Sequence, residues 1–137
     1  LIHDATDNTL WMKFSRGTGY SINGTSVTLT SVFALNGVIY VGTSTNGLLA
    51  IDLINDRISQ YDYNAGSGGK AAFQGTISIR NTNKGFGTRA SWGQIASDKV
   101  ADVFTRNING KTYIGVSTLG GISVINTSDS RVVRYID

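Results

Sequence analysis

Apolar residues along this chain come in short, β-branched runs, each closed after a few positions by Gly, Asn, Asp or Ser. Short alternating or continuous apolar runs bounded by turn residues are the signature of strands, and helical spacing is hard to find. The runs predict strands at about 30–35, 38–44, 48–53 and 57–62, and again at about 100–107, 111–117, 121–126 and 131–136. Alternation is clearest where Ile39 and Val41 share one face with Leu49 and Ile51. Asn-Gly pairs stand at Asn23-Gly24, Asn36-Gly37, Asn46-Gly47 and Asn109-Gly110. A two-residue type I′ hairpin needs positive φ at both central positions, which Asn followed by Gly tolerates best. The expected fold class is therefore all-β and antiparallel, built of four-stranded meanders, with a β-sandwich as the alternative.

The two groups of runs are copies of one pattern. Val32-Phe33 aligns with Val103-Phe104, and Asn36-Gly37 with Asn109-Gly110 after a two-residue insertion. Tyr40-Val41-Gly42 aligns with Tyr113-Ile114-Gly115, Ser44-Thr45 with Ser117-Thr118, and Gly47 to Asp52 with Gly121 to Asn126. Arg57-Ile58 then matches Arg131-Val132, and Tyr61 matches Tyr135. A period of this kind signals stacked supersecondary units. The units run over about 31–62 and 102–137 of a single all-β domain or fragment. The stretch 63–99 opens with a Gly/Ser-rich segment, Asn64 to Lys70, and reads as a diverged blade or an inserted hairpin. Gly42 and Gly115, each inside a strand, predict close backbone packing.

The unit Tyr-Val-Gly-Thr, then Gly, then an apolar strand ending in Ile-Asp, then an Arg-containing turn, resembles a blade of the sensor-type and surface-layer β-propellers. Through Thr9 to Phe14, Ser31 to Asp62 and Tyr113 to Tyr135, the chain is similar to marine phage virion proteins that carry such blades beside a concanavalin-like, laminin-G-type sandwich. The resemblance implies a virion or extracellular location and a role in structure or adhesion. Propellers close with about four to eight blades. Only two units are recognisable here, so the rest of a ring would come from other copies of the chain or from a longer polypeptide.

Composition narrows the chemistry. The 137 residues contain no Cys, no Pro and a single His, and every one of the nine acidic residues is Asp. Disulfides, thiolate zinc sites and cysteine nucleophiles are excluded, as is a two-His metal site. Gly, Ser, Thr and Asn make up roughly two fifths of the chain, a composition suited to turns. The net charge is +3, but the five Lys and seven Arg are scattered, so no nucleic-acid partner is expected. No run approaches the length of a membrane span. The chain opens with Leu1, which suggests a processed product or a piece of something longer.

Carboxylate chemistry would draw on Asp52, Asp56, Asp62, Asp98 or Asp102, but their places at strand ends and turns fit Asx-turn roles. No calcium loop or Walker motif is present, and no cofactor is expected. Aromatic residues are the better lead, because their rings stack on the apolar faces of sugars. Trp92 and Tyr63, with Arg89 as a hydroxyl partner, are the candidate ligand-binding residues, whereas Trp11 and Tyr61 read as core. The expected function is a non-enzymatic virion or cell-surface module for assembly or adhesion, with surface glycan as the possible ligand class. The alternatives are a fragment of a propeller glycoside hydrolase and a structural or sensor repeat with no small ligand.

Overall fold

The chain is all-β and antiparallel. The structure, a computed structural model, describes residues 2–3, 5–12, 27–55, 57–63, 69–72, 95–128 and 131–136. A small two-stranded sheet pairs β1 (Ile2–His3) with β2 (Leu10–Met12). The first large sheet runs β3 (Leu29–Leu35), β4 (Val38–Thr43), β5 (Leu48–Asp52), β6 (Arg57–Tyr61) and β7 (Gly69–Ala72), each strand beside its sequence neighbour. The second runs β8 (Val100–Ile108), β9 (Lys111–Thr118), β10 (Gly121–Asn126) and β11 (Arg131–Ile136), again in sequence order. Most of the stretch 73–94, where a further strand and return were expected, lies outside the described residues.

Of the three Asn-Gly pairs among the described residues, two make the expected hairpins. Asn36 (φ 51) with Gly37 (φ 73) and Asn109 (φ 50) with Gly110 (φ 76) both hold positive φ, joining β3 to β4 and β8 to β9. Asn46-Gly47 does not make such a hairpin, because only Gly47 (φ 70) has positive φ there. The loop is instead closed by Thr43, whose hydroxyl donates to the Gly47 carbonyl at 2.8 Å and accepts from the Asn46 amide at 2.9 Å. Thr118 repeats this in the second sheet, donating to the Gly121 carbonyl at 2.9 Å and accepting from the Gly120 amide at 3.1 Å. Asn23-Gly24 lies outside the described residues.

The registers correct two details of the sequence alignment. Phe33 pairs with Tyr40, but Phe104 pairs with Gly115, two positions away from Tyr113. The second hairpin is two residues longer on each strand, so the Val-Phe match and the Tyr-x-Gly match belong to different counts, one from the bulge and one from the turn. In β11 a bulge opposite Val124/Ile125 shifts the ladder, so Ile136, and not Tyr135, pairs with Ile122 where Tyr61 pairs with Leu48. The two-residue offset in the β8–β9 hairpin leaves its faces unchanged, because side chains alternate with period two.

The faces decide the packing. The Tyr40 face of the first sheet carries Phe33, Val38, Tyr40, Leu48, Ala50 and Tyr61. It packs into one apolar cluster with Val103, Ile114, Val116 and Ile125 of the second sheet, closed by Ile95 and Val100. By the hairpin count, Ile114 is the counterpart of Val41 and not of Tyr40. The front of one unit therefore meets the back of the next. Val41, Leu49, Ile51 and Ile58, on the other face of the first sheet, form a second buried cluster. Val41, Ile114, Ile51 and Ile125 are all buried, as the alternation requires.

The strand glycines pack closely. A Cβ on Gly42 would come within 2.6 Å of Val100, and one on Gly115 would strike the ring of Phe104. Residues 95–99 tie the sheets at one end: Ile95 donates its amide to the Asp62 carbonyl at 3.0 Å, and Gly47 donates to the Asp98 carbonyl at 2.9 Å. Ala96 donates to the Ser123 hydroxyl at 2.9 Å.

Candidate functional site

At the opposite end, where the β5–β6 turn approaches the end of β10, the sheets part around a cleft of about 280 Å³. The first sheet contributes Tyr40 from β4, Asp52 from β5, Asn55 from the turn, and Arg57, Ser59 and Tyr61 from β6. The second sheet contributes Ile114 from β9 and Thr127 just past β10. Tyr40, Ala50, Asp52, Arg57, Ser59 and Tyr61 share one face by ladder register, which is why residues distant in sequence line one wall.

Asp52 organises the turn. Its Oδ1 accepts the amides of Ile54 at 3.0 Å and Asn55 at 2.9 Å, and its Oδ2 accepts the Asn55 side-chain amide at 2.8 Å. Partial burial works against ionisation, but these three bonds and the Arg57 charge outweigh it and hold the carboxyl below its ordinary value. Arg57 stands directly across the ladder from Asp52. Asn126 takes the same place in the second sheet, accepting the Ser128 amide at 3.0 Å. Thr127 is fixed by donating both its amide (3.1 Å) and its hydroxyl (3.0 Å) to the Thr112 carbonyl.

Tyr40 is only 3% exposed. Burial, and secondarily the nearby Tyr61 and Asp52, push its phenol up to about 12, so it stays protonated across the physiological range. Its hydroxyl has no hydrogen-bond partner among the described residues.

The sequence candidates fall elsewhere. Tyr63 is 57% exposed on a shallow hollow of about 320 Å³ with Thr45, Ala96, Ser97, Asp98 and Lys99. Its amide donates to the Asp98 carboxylate. Trp92 and Arg89 lie outside the described residues, so their expected grouping with Tyr63 is not on view. Tyr61 is core, as its place in the repeat suggested. The other described carboxylates in the hydrogen-bond network serve local structure: Asp7 caps Thr9, and Asp102 accepts from Ser31 and Val103. Among the described residues no group of His and Asp is placed to hold a metal ion, and no helix is long and apolar enough to cross a membrane.

Of the cleft residues, the sequence singled out Asp52, read as a turn former, and Tyr61, read as core. The available signal was positional, an Asx turn at Asp52 repeated at Asn126, and turn chemistry alone says nothing of a cavity. Compared with family models, curated proteins and solved structures, the chain matches none.

Proposed function

We propose that this chain is a non-enzymatic structural and adhesion module of a virion or cell surface, in which antiparallel sheets, one of five strands and one of four, stack front to back as propeller blades do. The observation that carries this reading is the packing of the Tyr40 face on the Ile114 face, which are not the same side of the repeated unit. A two-fold pair would bury the same side of both units and be complete. Here the contact is head to tail, so the Tyr113 side of the second sheet lacks the cover that the Tyr40 side of the first receives.

The free face supports the reading. On the Tyr113 side of the second sheet, Phe104 (57%), Ile108 (49%), Ile122 (42%) and Ile136 (49%) are exposed. The corresponding side of the first sheet is covered by the second. Contiguous exposed apolar side chains mark interaction surfaces. The Val41 side of the first sheet is already buried, so the surface another copy has free to cover this face is its own Tyr113 side.

Sedimentation equilibrium tests it. Association that rises with concentration, and that Ile122→Asp abolishes without altering the circular dichroism spectrum, is the expected outcome. A monomer at every concentration, indifferent to that substitution, would overturn the assembly reading.

A further inference from the structure

We propose that the cleft between the β5–β6 turn and Thr127 is a binding site for a single neutral saccharide ring. The inference deepens the adhesion reading above by naming its ligand class and the residues that would hold it.

The size of the cleft sets the first limit. At about 280 Å³ it lies at the lower edge of small-molecule pockets, room for one ring and not for an extended peptide. The charge sets the second. Asp52 and Arg57 stand opposite each other and offset, so neither an anion nor a cation is drawn in by net charge.

The polar lining then selects among neutral ligands. Ser59 and Tyr40 offer hydroxyls, which donate and accept, the Thr127 hydroxyl, already donating to Thr112, accepts, Arg57 donates, and Asn55 and Asp52 supply oxygen acceptors. Vicinal ring hydroxyls need this mixture of donors and acceptors, because each one both gives and takes a hydrogen bond. Val38, Ala50 and Ile114 provide an apolar wall for the C–H side of a ring.

Tyr40 is the group that points beyond structure. Tyr40 is fixed in the intersheet cluster at 3% exposure and also lines the cleft, and its hydroxyl has no hydrogen-bond partner among the described residues. A ligand hydroxyl replaces water there with a hydrogen bond to a group already held in place by the core. Asp52 Oδ2 accepts one described bond, from Asn55, and retains a lone pair for a ligand donor.

The test is protein-observed NMR titration of the 137-residue chain with methyl glycosides of glucose, galactose and N-acetylglucosamine, and separately with inorganic phosphate. The expected result is saturable shifts at Tyr40, Ser59, Tyr61 and Thr127 with one glycoside and none with phosphate. Tyr40→Phe removes only the hydroxyl and should weaken binding about five- to tenfold, the scale of one hydrogen bond. Ser59→Leu fills the cleft and should abolish binding while the Ile95 and Val103 amide shifts, away from the cleft lining, stay native. Shifts confined to Tyr63 and its hollow, shifts with phosphate alone, or none with any glycoside would overturn the proposal. Because binding is read at named cleft residues in dilute monomer, its failure is distinct from failure of the assembly reading, which sedimentation reports.

Discussion

Ser31 donates its hydroxyl hydrogen to the Asp102 carboxylate at 2.6 Å, and the two residues occupy the same place in their sheets, each just past a bulge in the opening strand. The Ser31 hydroxyl also accepts the Val103 amide at 3.2 Å. Further along, the Asn36 side-chain amide donates to Asn107 at 3.2 Å, at the same sequence separation of 71. Equal offsets at both ends of the contact mean that β3 and β8 lie side by side in the same direction. The repeat thus touches itself at equivalent positions along its first strand while using opposite faces elsewhere.

This contact tunes Asp102. The Ser31 hydroxyl, then the Val103 amide, hold its carboxyl below the ordinary value against a smaller opposing effect of desolvation. A depressed native pKa means stability present above the unfolded value of about 3.9 and lost as pH falls through the native one. In Ser31→Ala the Asp102 titration, followed by carboxyl-carbon NMR, should move upward. An unmoved titration would deny Ser31 that role.

Gly42 and Gly115 should respond differently to alanine. At Gly42 the added methyl meets Val100, which is 3% exposed and cannot yield, so the cost should be about 1–3 kcal/mol. At Gly115 it meets the Phe104 ring, which is 57% exposed and free to swing away. That variant should lie within about 1 kcal/mol of wild type, since alanine also restricts the unfolded chain. Urea denaturation of both separates the cases, and equal losses would contradict the packing described.

Ile125 and Ile122 sit on one strand and face opposite ways. Ile125 is fully buried between the sheets, so Ile125→Ala should cost about 2–5 kcal/mol. Ile122 is 42% exposed, and Ile122→Ala should cost under about 1 kcal/mol in dilute solution. Thermal or chemical melts at low concentration measure both. Similar losses would mean that the Tyr113 face is already covered in the monomer.

Tyr40 predicts an alkaline weakness. Its native pKa of about 12 exceeds the ordinary value of 10.0, so the native state resists forming the phenolate. Stability on this account is complete below the unfolded value and is lost as pH rises through the native one. Phenolate absorbance should show a late-titrating tyrosine that vanishes in Tyr40→Phe. That variant should also lose less stability than wild type on alkaline titration.

The strands, the two Asn-Gly hairpins and the existence of the repeat were determined by the sequence itself. They rest on local physics: β-branched runs, positive φ at Asn36 and Asn109, and period-two alternation act within a few residues. Alternation could not say which face meets which, because Tyr40 and Val41 are both buried, on opposite sides of one strand. Nor could it choose between the Phe33/Phe104 and Tyr40/Tyr113 matches, which coexist only because both strands of the second hairpin lengthen together. The same holds for Tyr135, moved out of Tyr61's position by one bulged residue. The front-to-back stacking, and the cleft that Tyr40, Asp52, Arg57 and Thr127 share, were decided by tertiary structure alone, since both depend on how two complete sheets fit together, a long-range relation that no local pattern encodes.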